Sequence, residues 1–482
     1  MKKTKTRQLP IVLSVVPLLV LVALIVFTIR AFGSDSLGGA TQVMLLAASA
    51  VCCIIATVYA RVPWRDFEAA ITKNISSVAM AVVILLLIGA LGGSWMVSGV
   101  VPTMIYYGVN IISPDVFLAT TCVLSAVVSV MTGSSWTTIA TIGVALMGIG
   151  KAQGFDEGWI AGAIISGAYF GDKISPLSDT TILASSVCGV RLFSHIRFML
   201  ITTIPSILLA LIVFFVAGFN HEAVTSGELD AFRGAIAQRF DVNAWLLIVP
   251  IITAVMIVKR VPALVTLLTA SVMGVICALV FQSDIIAELA DGDLFKGSMQ
   301  VLYGSTSIAT SNEMLTELVA TRGMGGMMST VWLILCAMCF GATLTAGGMT
   351  DGITRLFTKV ARGRVSAVAS TAFTGVTLNT ATSDQYISIL LTGSVFGNIY
   401  RRLGIDQRVL SRATEDSATV TSVLIPWNTC GMVQSTVLGV ATLTYLPYCI
   451  FNLASPIMSC IVAATGYRIM DRHRKPQPAE EE

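Results

Sequence analysis

Ser166-Gly167-Ala168-Tyr169-Phe170-Gly171-Asp172-Lys173-Ile174-Ser175-Pro176-Leu177-Ser178-Asp179-Thr180-Thr181 lies between long apolar runs and puts two carboxylates and a lysine where hydrocarbon is expected. Even a lenient insertion scale assigns about 2.5 to 3.5 kcal/mol to one such charge at the bilayer centre, so packing alone does not explain them. The stretch also interrupts its own helix. Pro176 has no amide hydrogen and clashes with the preceding turn, and Ser175 is pushed toward an extended conformation. Backbone groups are thereby freed beside Asp172, Ser175, Ser178 and Asp179. Unwound backbone at membrane depth survives only when it is buried in protein or lines a watery cavity, and discontinuous helices of this kind build ion and substrate sites in secondary transporters.

The rest of the chain supports that setting. Of 482 residues, 55% are hydrophobic and 12% charged, with a mean hydropathy of +0.83, against about 25% charged in a soluble domain. One all-α polytopic membrane domain spanning 1–482 is expected, without a soluble module. A net charge of +3 and the absence of a long basic run exclude a nucleic-acid partner. The ten cysteines lie in apolar runs and read as small buried hydrophobes. Cys336-Ala-Met-Cys339 has redox spacing but no βαβ context. No cofactor, resident metal or catalytic residue is expected, and no GxxxxGK[ST] loop points to a primary pump or another enzyme. Lys2, Lys3, Lys5 and Arg7 ahead of an apolar Ile11 to Ile29 imitate a signal peptide, but the core is too long and no cleavage site follows. It reads as a retained first helix with its basic end inside.

Further runs long enough to span about 30 Å are Thr41 to Ala60, Val78 to Val97, Trp159 to Val190, Phe198 to Gly218, Trp245 to Val258, Pro262 to Phe281, Met327 to Thr345, Val409 to Val440 and Ala441 to Thr465. Two regions differ. Asp115 to Gly150 is split by Thr132-Gly133-Ser134-Ser135, and Val365 to Tyr400 by Asn379-Thr380-Ala381-Thr382-Ser383-Asp384. Each arm is about 21 to 24 Å long at 1.5 Å per residue, which predicts re-entrant hairpins with polar tips at mid-membrane. With hairpins, the basic loops near Arg61/Arg65/Lys73, Arg191/Arg197, Lys259/Arg260, Arg355/Lys359/Arg362/Arg364, Arg401/Arg402/Arg408/Arg412 and Arg468/Arg472/Arg474/Lys475 all fall on the side of the amino terminus. The acidic stretch Gln282 to Gly326 falls outside, so the positive-inside rule is met with both termini cytoplasmic.

Each half then has five crossings and one hairpin, and the odd number inverts the halves. The first repeat is 1–218, the second 244–466, and 219–243 an extracytoplasmic linker. Adding 250 aligns Thr132 with Thr382, Ser134 with Asp384, Gly143 with Gly393, Gly154 with Gly404, Asp156 with Asp406 and Pro176 with Pro426. The second half-site is therefore Ser411 to Thr421 with Glu415 and Asp416, running into Ile425-Pro426-Trp427-Asn428-Thr429-Cys430-Gly431. Arg412 and Glu415, three apart, can also be a helix-surface pair near the cytoplasmic end. Asp416 has no nearby base in sequence. Lys173 is either a structural counter-ion or a coupling residue.

The candidate ion- or substrate-binding residues are Asp172, Lys173, Ser175, Ser178, Asp179, Thr132, Ser134, Ser135, Thr382, Ser383, Asp384, Glu415, Asp416, Asn428 and Thr429, with Asp172, Asp179, Asp384 and Asp416 the Na⁺ candidates. Hard oxygens suit a small hard cation. Helix starts after a tip also point positive amides inward, which would suit an anion, so both remain open here. Trp95, Tyr106, Tyr107 and Trp159 read as aromatic-belt anchors, and Gly89, Gly92, Gly93 and Gly99 as close helix packing. His195, His221 and His473 fall in loops or the tail, leaving no membrane-embedded histidine.

Gly171-Asp172-Lys173-Ile174-Ser175-Pro176-Leu177-Ser178-Asp179-Thr180-Thr181, with Glu415-Asp416-Ser417, Pro426-Trp427-Asn428-Thr429 and Val101-Pro102-Thr103-Met104-Ile105-Tyr106-Tyr107-Gly108, resembles the NhaC-type sodium/proton antiporter family from about Val78 onward. Val423 stands where related sequences have proline. The resemblance implies a Na⁺/H⁺ exchanger in an ion-transporter superfamily with inverted repeats, hairpins and elevator-like motion, some of whose members resemble malate/lactate antiporters. A secondary Na⁺/H⁺ antiporter of the cell membrane is the expectation; the alternative is Na⁺- or H⁺-coupled carriage of a small organic acid or amino acid. Partners are lipid, Na⁺ and H⁺, with an organic solute and a second copy of the chain left open. The five acids of the site against Lys173 and Arg412 leave a balance of minus three, which favours cations and lets a proton and Na⁺ compete for the same carboxylates.

Overall fold

Apolar sequence in a bilayer must satisfy its own backbone, which favours helices, and the chain obliges almost throughout. In a computed structural model, residues 8–32, 39–221 and 226–469 are described. The basic amino terminus and the tail carrying Arg472, His473, Arg474 and Lys475 lie outside them. Among the described residues, Ile11–Phe32, Ala40–Ala60, Trp64–Val97, Pro114–Thr132, Leu192–Phe219, Ala263–Phe281 and Gly323–Ala346 are long and apolar enough to cross a membrane. Two bent pairs, Gly227–Arg239 with Ala244–Val258 and Thr442–Tyr448 with Ile450–Thr465, raise the count to as many as nine where each pair is one span. The protein is thus a multi-pass membrane protein. The two broken helices stay outside that count because charges and breaks interrupt them. The linker of the sequence reading holds a helix, Ser226–Arg239.

The arms differ from expectation. They are Pro114–Thr132 and 135–152 in the first half, Arg364–Thr382 and Gln385–Arg402 in the second. At 1.5 Å per residue each is about 27 to 29 Å long. The apolar count fell short because polar residues at the arm ends, such as Asp115 and Thr132, are helical too. Arm length therefore no longer argues for hairpins.

Local geometry recurs at the offset of 250. At the first tip Gly133 is left-handed at φ 68° and Ser134 caps the next helix, accepting from Thr137 N at 3.2 Å. At the second, Ser383 is left-handed at φ 60° and Asp384 accepts from Ile387 N at 2.8 Å. Thr132 and Thr382 each donate across the turn, to the Ser134 and Asp384 carbonyls. Ser129 donates to the Ala168 carbonyl, and Asn379 to the Ala418 carbonyl. A Cβ on Gly167 would run into the Cys122 carbonyl and Ser125, while one on Gly375, the counterpart of Ser125, would run into Ser417, the counterpart of Gly167. The same close approach is kept with the small residue on opposite partners. Arm and broken helix are thereby held backbone to backbone in both halves.

Two other expectations change. Trp95 is buried and donates to the Ala270 carbonyl at 3.1 Å, so it is a core residue rather than a belt anchor. Gly89 faces the Gly323 carbonyl and Met327 at the start of Gly323–Ala346, as close helix packing expects, but Gly93 faces the Val301 carbonyl and so admits the segment after Phe281. That segment folds into short helices and closes on itself through the Thr306–Thr321 bridge.

Candidate ion-binding site

The first broken helix, Glu157–Ile174, ends on extended Ser175, as Pro176 requires. Ser175 Oγ donates to the Val130 carbonyl at 2.8 Å and ties the break to the first arm. Ser178 then caps a new helix, Asp179–Val187, whose first residue is Asp179. In the second half, Gln407–Thr414 runs into a π turn at Glu415–Thr419 and a 3-10 turn at Ser422–Leu424. Asn428 caps Thr429–Leu438. Val423 sits in the 3-10 turn, and its carbonyl accepts from Tyr445 Oη at 2.9 Å, so the break forms without proline there.

Tips and breaks converge on one cavity of about 720 Å³. Thr132, Ser134 and Ser135 come from the first tip, Asp172 and Asp179 from the first break, Asp384 from the second tip and Thr429 from the second break. Asp172 is 6% exposed; its Oδ2 accepts from Ser135 N at 3.2 Å and Ser135 Oγ at 2.8 Å, while Oδ1 has no partner. The helix-start amides are thus already engaged by the protein's own oxygens: Ser135 N by Asp172, Thr137 N by Ser134, Ile387 N by Asp384. An anion at these amides would have to displace those acceptors beside three carboxylates, with Arg260 the one basic side chain on the cavity wall among the described residues. Among the described residues, no group of three or more His, Cys, Asp or Glu could hold a metal ion, so these acids form no carboxylate cage. Hydroxyl and backbone oxygens would have to complete the shell of a bound Na⁺.

The remaining candidates lie elsewhere. Lys173 and Asp416 form an ion pair with both side chains fully buried, and Ser459 Oγ donates to Asp416 Oδ2 at 2.7 Å. Lys173 Nζ also faces the Phe451 ring at 5.6 Å. The base that Asp416 lacked in sequence is supplied from the other half. Glu415 is fully buried with neither carboxylate oxygen partnered, and Arg412 is fully buried with no hydrogen-bond partner on its guanidinium. They are no surface pair. Ser175, Ser178, Thr382, Ser383 and Asn428 shape the breaks and tips without lining the cavity. Ser383 offers its carbonyl to Thr429 N at 3.0 Å, and Asn428 Nδ2 donates to the Asn379 carbonyl at 3.1 Å. His195 is not in a loop: it lies in Leu192–Phe219, fully buried, with Nδ1 2.8 Å from Ser411 Oγ.

Sequence reasoning missed Tyr386, Gln385 and Arg260, which also line the cavity. Tyr386 Oη donates to Asp179 Oδ2 at 2.7 Å, joining first break to second tip. Its place two residues after the tip carboxylate was the available signal; no local pattern marks Arg260. Both Tyr386 and Asp179 are exposed to the cavity, so the bond is worth at most about 1.5 kcal/mol. Tyr386→Phe is expected to leave the fold intact and raise the Na⁺ KM by no more than about tenfold. A Na⁺ titration of exchange that leaves KM unchanged would make the bond incidental.

A family model described as the Na⁺/H⁺ antiporter family matches residues 1–183 and 167–467. The Na⁺/H⁺ antiporter NhaC of Alkalihalophilus pseudofirmus is 36% identical over 419 residues, 86% of this chain and 89% of its own. A malate-2H⁺/Na⁺-lactate antiporter of Bacillus subtilis is 35% identical over 84% of this chain and 85% of its own. The arginine/ornithine antiporter ArcD of Halobacterium salinarum is 33% identical over 94% and 92%.

Proposed function

The chain belongs to the Na⁺/H⁺ antiporter family, and from that premise we propose how this secondary antiporter exchanges Na⁺ for protons at the cavity between its two halves. Na⁺ binds among Asp172, Asp384 and the hydroxyls of Thr132, Ser134, Ser135 and Thr429, with Asp179 at the edge. The observation that carries this reading is the meeting of three carboxylates from both halves in one cavity whose helix-start amides are already occupied. Protons compete with Na⁺ for these carboxylates. Na⁺ binding therefore weakens as pH falls and needs no organic solute. A thermal-shift titration with NaCl at several pH values checks it; Na⁺ binding that appears only with malate, lactate, arginine or ornithine present would favour the organic-cargo relatives. Na⁺ added outside vesicles of reconstituted protein should alkalinise the lumen with no organic solute present, because protons leave as Na⁺ enters.

The halves act as inverted repeats, a reading supported by the recurring tips, caps and close contacts at the offset of 250. The tips enter as hairpins from opposite sides of the cell membrane, and both termini are cytoplasmic. Single cysteines at Gly108 and Lys151 should then label from outside, and at Val365 and Arg401 from inside. Labelling of Gly108 and Lys151 from opposite sides would turn the first hairpin into a full crossing and remove the inversion.

A further inference from the structure

Asp172 and Asp179 from the first break and Asp384 from the second tip share the cavity wall with one base, Arg260, and with Tyr386. Exchange of Na⁺ for protons does not itself call for a positive charge beside those carboxylates. Arg260 sits in the turn between Ile248–Val258 and Ala263–Phe281. Arg260 N donates to the Ile257 carbonyl at 2.8 Å and Val261 N to the Met256 carbonyl at 3.0 Å, which closes the turn with Arg260 left-handed at φ 61°. Glycine is the usual residue in such a position, having no Cβ to strain. Arg61 and Arg468 take the same conformation elsewhere, but neither lines the cavity. Lys259 would give the helix its basic end just as well, and it does not line the cavity either. The Arg260 side chain is exposed, and among the described residues it forms no ion pair. Its charge is left to act on whatever enters the cavity.

We propose that Arg260 is a specificity-determining residue of the antiporter, whose fixed positive charge disfavours each cation in proportion to its valence and so keeps divalent cations out of the carboxylate cavity. Three carboxylates attract a doubly charged ion more strongly than Na⁺, and a divalent ion held there would block a cycle in which Na⁺ and protons alternate. Electrical work scales with the charge moved. If Arg260 weakens binding of a monovalent ion by some factor, it weakens binding of a divalent ion at the same place by the square of that factor. Na⁺ and the proton carry the same single charge, so Arg260 burdens both equally and leaves their competition unchanged. The coupling of Na⁺ to protons is therefore untouched, and only valence is sorted. The inference deepens the antiport reading and rests on it.

The test compares Na⁺ with Ca²⁺, a divalent ion that also takes oxygen ligands in flexible geometry, on reconstituted protein. Arg260→Asn removes the charge and suits the left-handed backbone. It is expected to lower the Na⁺ KM about threefold at alkaline pH, the size of a unit charge acting across water, and the Ca²⁺ inhibition constant about ninefold. At acidic pH, where protons already compete for the carboxylates, both competitors gain alike and the Na⁺ KM should stay at the wild-type value. Arg260→Lys keeps the charge and should match wild type in all three readings. A change at the turn that merely disturbed the cavity's shape would not give a squared effect on Ca²⁺, nor spare the KM at acidic pH. Equal factors for Na⁺ and Ca²⁺, a Na⁺ KM that is unchanged or raised at alkaline pH, no Ca²⁺ inhibition in R260N, or R260K behaving like R260N overturns the proposal. If R260N does not accumulate as folded protein, Arg260→Gly, equally suited to the turn and equally uncharged, is read by the same criteria. Wild-type protein that moves no protons on Na⁺ addition would instead end the antiport reading itself.

Discussion

Asp172→Asn is expected to abolish Na⁺-driven proton exchange while leaving folded protein in the membrane. The substitution conserves shape, and an amide oxygen can still accept from Ser135 N and Oγ, which hold Asp172 at the tip. What it removes is a full charge on a side chain that is 6% exposed. Two unit charges about 4 Å apart at an effective dielectric near 20 interact by about 4 kcal/mol, equivalent to roughly a thousandfold in Na⁺ affinity. Asp384→Asn should come close, since Asp384 is also buried in the cavity wall and its cap to Ile387 N survives as an amide. Asp179→Asn should cost less, because Asp179 is exposed and water screens it. Proton flux and Na⁺ uptake in vesicles, with thermal stability measured alongside, read all three. Exchange at the wild-type rate in Asp172→Asn would make the first break a structural feature only.

That ranking shows which parts of the site the sequence carried. Asp172, Asp179 and Asp384 were visible because a charge or a proline inside an apolar run violates a strong local rule, and the violation marks the position without any knowledge of the fold. The pairing of tips with breaks was visible for the same reason, twice over, at a fixed spacing. What stayed hidden depends on neighbours far along the chain. Asp416 looked unpaired because Lys173 is 243 residues away. Arg412 and Glu415 could also be read as a surface pair because their spacing fits one, and only their burial removes that alternative. His195 was misplaced because Leu192–Phe219 begins on the polar turn ahead of its apolar run, where hydropathy gives no boundary. Burial direction is a tertiary property, and in a membrane the usual clue, polarity on the outer face, is weakest at the ends of helices.

The buried pair gives the largest expected effect on stability. Lys173→Met or Asp416→Asn alone leaves one fully buried charge facing a group that no longer neutralises it, and loss of one partner from such a pair typically costs about 3 to 5 kcal/mol. The double variant removes both charges together. Buried ion pairs replaced by neutral groups of similar volume are often as stable as the original, so K173M/D416N should recover most of what either single change loses. Ser459, which donates to Asp416 Oδ2, can donate to the asparagine oxygen in the double variant, while the new amide N–H₂ faces the methionine that replaces Lys173, so the recovery is incomplete. Stability and exchange should then part company: the double variant is expected to unfold closer to the wild-type temperature than either single variant and still exchange poorly, because the charge that directly follows Asp172 in the first broken helix is lost. A thermal-unfolding series in detergent with vesicle flux on the same four proteins forms a double-mutant cycle. Singles as stable as wild type would mean that the pair contributes nothing to folding, and a double variant that exchanges normally would confine Lys173 and Asp416 to a structural role.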